Sequence, residues 1–156
     1  MEALVELPNP ETTFALGVRL GGLLQPGDFL GLTGELGTGK TLLVRGICKG
    51  LGVPEGQVQS PTFTIVNSYA GGRLPLHHAD LYRIENHDEL YATGYFDLLE
   101  GAGVTAVEWV ERIVGASPPS RLALRFDRAG DTGRTLRLEA FSPRHEALLA
   151  ALVAKP

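Results

Sequence analysis

Eight consecutive residues, Gly34-Glu35-Leu36-Gly37-Thr38-Gly39-Lys40-Thr41, carry the types and gaps that grip a phosphate chain, the P-loop pattern G-x-x-x-x-G-K-S/T. Glycines let the backbone curl until successive N–H groups face inward and bind anionic oxygens. Lys40, expected on the loop surface, adds a point charge for β- and γ-phosphates, and the Thr41 hydroxyl can take a Mg²⁺ coordination position. The chain holds 20 Gly, three Lys and 16 Ser plus Thr. Independent placement over 156 residues would match the four fixed positions about 0.005 times. An apolar run precedes the loop, Phe29-Leu30-Gly31-Leu32-Thr33, and a helix start follows it, Thr41-Leu42-Leu43-Val44-Arg45. Strand, loop and helix together argue against a glycine-rich turn that binds nothing. The sequence implies a nucleotide site.

Such a site needs a carboxylate near the metal, supplied where a hydrophobic strand ends. Asp80 follows Leu76-His77-His78-Ala79, and Glu108 follows Val104-Thr105-Ala106-Val107. Both would emerge at carboxyl ends of strands, where open α/β sheets bind nucleotides. The run before Glu108 is the cleaner strand. The bland alternatives are a helix cap for Asp80 and a surface position for Glu108. Trp109, the one tryptophan, is either core or a ring beside the nucleotide. Thr62 and Thr64, within Ser60-Pro61-Thr62-Phe63-Thr64, occupy the chain position where nucleotide switches place a γ-phosphate-sensing Thr. A plain loop entering a strand would look the same. His77 and His78 do not suggest zinc: no Cys/His cluster accompanies them, and adjacent strand residues face opposite ways.

The elements that must position these residues follow from periodicity and punctuation. A short first strand covers 4–7, and Asn9-Pro10-Glu11 starts a helix that ends before Pro26-Gly27. Strand 29–33, the P-loop and a helix through about Gly50 come next. Residues 62–69 are β-branched and aromatic, and Gly71-Gly72 turns them into an antiparallel partner over 74–80. Residues 85–100 read as an acidic helix with a possible break at Gly94, and 104–107 as a buried strand. Leu122, Leu124, Phe126 and then Leu136, Leu138, Ala140 alternate around a glycine-containing turn, a half-exposed terminal hairpin. A helix over about 143–153 follows. The fold class expected is α/β, a P-loop NTPase-like three-layer sandwich with a mixed, mainly parallel central sheet and a terminal antiparallel hairpin. One domain spans 1–156.

Composition narrows the classes. Hydrophobic content of 44% with 21% charged residues describes a globular chain able to bury a core. No apolar run approaches membrane-spanning length, and the acidic start Met1-Glu2-Ala3 lacks the pattern of a signal peptide. The single Cys48 cannot form an internal disulfide and reads as a buried thiol. Cytoplasmic location is expected. Net charge is −4, yet residues 121–144 hold six arginines for a net of +3, leaving −7 over 1–120. That basic segment could face nucleic acid or an acidic partner, or could be a solvated hairpin face. The acidic remainder argues against this chain gripping a nucleic-acid backbone by itself.

In series, these segments resemble the bacterial tRNA threonylcarbamoyladenosine biosynthesis ATPase family TsaE. The carriers are the P-loop, Ser60-Pro61-Thr62-Phe63-Thr64-Ile65-Val66-Asn67, His78-Ala79-Asp80-Leu81-Tyr82-Arg83, Glu108-Trp109 with Glu111-Arg112, and Gly133-Arg134 before a Leu-x-Leu strand. The resemblance implies a small ATPase that assists two partner proteins, TsaB and TsaD, which modify the tRNA adenosine beside the anticodon. ATP binding and hydrolysis would reset that complex, with tRNA touched only through it. Carried over by motif, Glu35, Leu36, Gly37, Thr38, Gly39, Lys40, Thr41 and Leu42 hold the nucleotide, and Thr41 and Glu108 hold Mg²⁺. Asp80 would position water or couple hydrolysis to the partner, so Lys40, Asp80 and Glu108 form the catalytic set. Thr62 and Thr64 are switch-like. Adenine would rest near Glu11-Thr12-Thr13 and Arg134. Glu35, Leu42 and Ser68 depart from the usual family residues, which bears on fine specificity.

The strongest rival is a small-molecule P-loop kinase, which would need an arginine-bearing lid, and 121–144 is the candidate for one. A GTPase lacks support because no Asn-Lys-x-Asp run occurs. A nucleotide-gated binding protein without hydrolysis is a third class.

Overall fold

The apolar runs found in the sequence become the middle of a mixed β-sheet. The structure, a computed structural model, describes residues 1–35, 37–54 and 66–154. Its strands are β1 (Glu2–Leu7), β2 (Phe29–Thr33), β3 (Val66–Tyr69), β4 (Leu76–Asp80), β5 (Val104–Glu108), β6 (Leu122–Ala129) and β7 (Gly133–Ala140). They lie in the order β1-β7-β6-β2-β5-β4-β3. The pairings β6–β2, β2–β5 and β5–β4 are parallel, while β1–β7, β7–β6 and β4–β3 are antiparallel. Parallel pairing therefore makes up half the ladder, concentrated at its centre, rather than most of it. The terminal hairpin recruits β1 as its outer neighbour, which turns the far end antiparallel.

Helices α1 (Pro10–Leu23), α2 (Lys40–Leu51) and α5 (Pro143–Val153) cover one face. Helices α3 (His87–Ala92) and α4 (Tyr95–Leu99), with the 3-10 turn Val110–Arg112, cover the other. Alternation along the central strands serves both cores: Leu30, Leu32, Val104 and Ala106 enter the first, Phe29 and Val107 the second. The acidic 85–100 segment divides at Gly94, whose φ of 84° starts α4. Residues 62–65, including Thr62 and Thr64, lie outside the described residues, as does Leu36. Cys48 is buried in α2, and that burial pushes its thiol up to about 11. Among the described residues no helix is long and apolar enough to cross a membrane.

The arginine-rich end is only partly a surface. Arg144 donates to both carboxylate oxygens of Asp28, at 2.9 and 2.6 Å, and to the Leu23 carbonyl. Arg121 donates to the Pro118 carbonyl, and Arg134 to those of Thr38, Gly37 and Gly133. Arg19 and Arg73, from outside that segment, donate to the last carbonyls of α5 and α1. Helix ends that lack basic residues of their own are thus capped by cations from elsewhere in the fold. Three of the segment's six arginines thus bond backbone carbonyls, which favours the solvated-hairpin account of the remainder.

Two glycine pairs let α1 and α2 touch backbone to backbone. A Cβ on Gly17 would lie 2.4 Å from the Leu43 carbonyl oxygen, and one on Gly21 would lie 2.4 Å from that of Ile47. Reciprocally, a Cβ on Gly46 would meet Phe14 O at 2.3 Å, and one on Gly50 would meet Val18 O at 2.2 Å. Gly17 faces Gly46 and Gly21 faces Gly50, so the helices run parallel and bring both N-termini to the P-loop edge. Gly46→Ala must push the helices apart and should destabilise the protein by about 1–3 kcal/mol in urea unfolding. Gly22, in the same helix α1 with nothing within 4 Å of its Cβ position, is the control. Gly22→Ala should stabilise by about 0.5–1 kcal/mol. Equal effects of the two substitutions would contradict the close-contact account.

Candidate functional site

The loop between β2 and α2 is shaped by its own hydrogen bonds and by two glycines at backbone angles that strain any other residue. Gly34 has φ 136°, and a Cβ there would lie 2.8 Å from Phe126 O. Gly39, at φ 108°, is the N-cap of α2 and offers no side-chain cap. Helices α1, α3 and α5, by contrast, have Asn9, Asn86 and Ser142 accepting from their first-turn N–H groups. The first N–H groups of α2 are therefore left for an anion. Thr38 braces the turn, its hydroxyl donating to Glu35 O at 2.6 Å. Arg134 ties β7 to the loop through the carbonyls of Gly37 and Thr38, at 3.1 and 3.2 Å.

Lys40 is 4% exposed, not on the surface as expected. Its ammonium donates to Gly34 O at 2.5 Å and sits 4.1 Å from the centre of the Trp109 ring. Burial lowers its pKa below the ordinary lysine value, opposed by the charges of Glu108, Glu111 and Asp80. The Trp109 ring packs against the core under α3 and α4, as the core reading expects, and its face meets the P-loop lysine. Among the described residues Trp109 is the one non-glycine with positive φ, at 60°. That conformation costs about 1–2 kcal/mol. It ends β5 abruptly and keeps the Trp109 N–H on Leu32 O at 3.2 Å.

The two strand-end carboxylates stand side by side. Asp80 and Glu108 are register partners across β4 and β5, and Glu108 is also the register partner of Leu32 on β2. Glu108 is 4% exposed. Burial pushes the Asp80 carboxyl above its usual value; the Tyr82 N–H, 2.9 Å away, opposes the rise and the Glu108 charge adds to it. Asp80 caps a local turn through that bond, while Asn86 caps α3. His78 Nε2 lies 2.6 Å from Glu108 Oε2, and His77, facing the other way, has Nδ1 2.8 Å from Ser68 Oγ. Among the described residues no group of three or more His, Cys, Asp or Glu forms a metal-holding set. The neighbouring oxygens able to take a hard divalent cation are those of Glu108 and Asp80. Two adjacent carboxylates facing one lysine, Glu108 buried and Asp80 partly buried, fit such an ion, since when ionised they carry more negative charge than Lys40 balances.

Two sequence segments that looked separate are fastened together here. Besides the Asp80–Glu108 and His78–Glu108 contacts, the Tyr82 and Trp109 rings lie 5.1 Å apart, and Arg112 Nε donates to Ile84 O at 2.7 Å. Clefts flank the P-loop on both sides. The smaller, about 120 Å³, is lined by Pro10, Thr13, Gly39, Leu42, Thr132 and Arg134 among others. The larger, about 760 Å³, is bordered by Gly34, Glu35, Trp109, Glu111, Arg125 and Arg128 among others. Thr13, not Thr12, faces the small cleft, because the Thr12 hydroxyl and N–H are engaged with Asn9 in a capping box. The buried stripe Thr13, Gly17, Leu20, Gly21 carried that information in its spacing. Glu35 is exposed and sits 3.7 Å from Arg128.

Known proteins resemble the chain over most of its length. The family described as "Threonylcarbamoyl adenosine biosynthesis protein TsaE" matches residues 7–136. The tRNA threonylcarbamoyladenosine biosynthesis protein TsaE of Bacillus subtilis is 42% identical over 144 residues, covering 92% of this chain and 89% of that protein. The protein of the same name from Streptomyces coelicolor is 45% identical over 125 residues, covering 78% and 84%. A crystal structure of Bacillus subtilis YdiB superposes with a TM-score of 0.82 at 35% identity, covering 97% of this chain and 94% of the other.

The contact between Lys40 and the single tryptophan yields an intrinsic probe. Phosphate oxygens arriving at the loop draw the ammonium off the ring, so adding ATP with Mg²⁺ should change Trp109 emission saturably. Lys40→Met should shift the resting spectrum and abolish most of that change. An unaltered emission at nucleotide concentrations that calorimetry shows to be bound would contradict the contact.

Proposed function

The chain belongs to the threonylcarbamoyl adenosine biosynthesis protein TsaE family, and from that we propose that it is an ATPase serving tRNA threonylcarbamoyladenosine synthesis. The observation that carries the reading is the meeting of Lys40, Asp80 and Glu108 at the carboxyl ends of β2, β4 and β5, beside an uncapped helix N-terminus. On this reading the architecture is a P-loop NTPase-like three-layer sandwich acting as one nucleotide-binding domain in the cytoplasm. Adenosine occupies the small cleft by Thr13, Leu42 and Arg134. The amides of Gly37 to Thr41 and the Lys40 ammonium bind the phosphates. Thr41 and Glu108 hold Mg²⁺, which when bound neutralises charge developing on the phosphoryl oxygens. Asp80 accepts a hydrogen bond from the attacking water and orients it. Trp109 borders the site beside Lys40.

The partners proposed are TsaB and TsaD, with tRNA reached through them, and the work of hydrolysis is to reset that complex between turnovers. Thr62 and Thr64 supply the switch in this proposal. The rival small-molecule kinase draws on the larger cleft, where Arg125 and Arg128 stand near the P-loop. Arg125 is 3.4 Å from Asp127 and Arg128 is 3.7 Å from Glu35, exposed ion pairs that weigh little for or against a phosphoryl clamp.

Phosphate release from ATP should be slow for the chain alone and should rise with the TsaB–TsaD pair, which in turn should need ATP for repeated tRNA modification. Glu108→Gln should lower Mg²⁺-dependent hydrolysis roughly 100-fold while sparing metal-free nucleotide binding. Wild-type turnover in that variant, or equal loss of both quantities, would move the metal role to Asp80. A pair that neither binds the chain nor depends on it would favour the kinase.

A further inference from the structure

Among the described residues, His78 carries the buried side-chain nitrogen left without a hydrogen-bond partner. It lies on β4 with 0% exposure, and its register partners are Asn67 on β3 and Ala106 on β5. Nε2 reaches diagonally, past Ala106, to Glu108 Oε2 at 2.6 Å. Nδ1 is buried with no hydrogen-bond partner among the described residues. A residue retained for packing alone would be apolar here, because an orphaned ring nitrogen opposes folding. An ionised carboxylate oxygen only accepts, so the Nε2–H donates to Glu108, and Nδ1 is left without a partner on the strand.

We propose that His78 is a positioning residue for the nucleotide-bound cation: its Nε2–H clamps one oxygen of Glu108 so that the other presents to the metal. The inference rests on the proposed role of Glu108. It assigns to His78 no contact with substrate, since full burial keeps the imidazole out of the cleft. A ligating carboxylate on a five-residue strand end has several rotamers, and a hydrogen bond from behind selects one. Neither charged neighbour takes that place in this structure. Lys40 is engaged with Gly34 O and the Trp109 ring, and Asp80 accepts from the Tyr82 N–H.

The test compares wild type, Glu108→Gln, His78→Leu and His78→Gln, using Mn²⁺ as a paramagnetic stand-in for Mg²⁺. Mn²⁺ affinity in the presence of saturating ADP is read by electron paramagnetic resonance, and ADP affinity in EDTA by calorimetry. Gln places an amide N–H near the position of Nε2, whereas Leu removes the donor. His78→Leu should weaken Mn²⁺ binding about 10- to 100-fold, as loss of an outer hydrogen bond to a metal ligand does, and leave metal-free ADP affinity within about two-fold. His78→Gln should recover most of the loss. If His78→Leu binds Mn²⁺ like wild type while Glu108→Gln does not, the positioning role falls and the Glu108 reading stands. If Glu108→Gln also binds like wild type, both fall. Parallel loss of metal-free ADP binding in His78→Leu, or a Gln variant as weak as Leu, overturns the clamp.

Discussion

Leu32, Glu108 and Asp80 stand abreast on β2, β5 and β4, held there by parallel ladders buried on both faces. That register is the constraint on which the rest of the site depends. Side chains alternate with a period of two, so a slip of one residue would turn Glu108 toward the α3–α4 core and put Val107 at the edge. Both neighbours of β5 resist such a slip, because Leu30, Leu32, Val104 and Ala106 interlock with α1 and α2 on one side. Phe29, Ala79 and Val107 do the same on the other. Hydrophobic burial thus fixes the position of two carboxylates that burial alone would disfavour.

The two ends of β2 show opposite solutions to buried charge. At the start of the strand, Asp28 is 2% exposed and fully answered by the bidentate Arg144 guanidinium and the Gln25 N–H. His145 Nε2 accepts from Phe29 N–H at 3.2 Å in the same network, and burial holds its pKa below the ordinary histidine value. That end is closed and fastens α5 to the sheet. At the finish of the strand, Lys40, Glu108 and Asp80 are close but unequally matched, α2 lacks a side-chain cap, and Trp109 holds a costly backbone conformation. Strain and unbalanced charge gather at the end where a ligand would relieve them.

Much of this was legible before the fold. The strand–loop–helix from β2 to α2, the strand ending in Glu108, the break at Gly94 and the terminal hairpin follow from glycine placement and apolar period, which are local signals. What the sequence hid was set by tertiary pairing. β1 joining β7 evens the balance of parallel and antiparallel ladders, and nothing within residues 2–7 specifies that partner. The glycine spacing 17, 21 and 46, 50 is visible in the chain, yet its meaning appears only when two helices meet in parallel. Burial of Lys40 against Trp109 needed the positive φ at 109, which no tryptophan advertises. Likewise His78 seemed merely one of two histidines on a strand until the diagonal reach to Glu108 was apparent.

The central claim is that the P-loop edge of this sheet binds a nucleotide through its phosphates, with Lys40 as the principal charge. Titration calorimetry of ATP with Mg²⁺ into wild type and Lys40→Ala tests it most directly. A charged hydrogen-bond donor lost from a water-poor site should weaken binding about 10- to 100-fold, with the fold intact by circular dichroism. Equal ATP affinity in the two proteins would contradict the account.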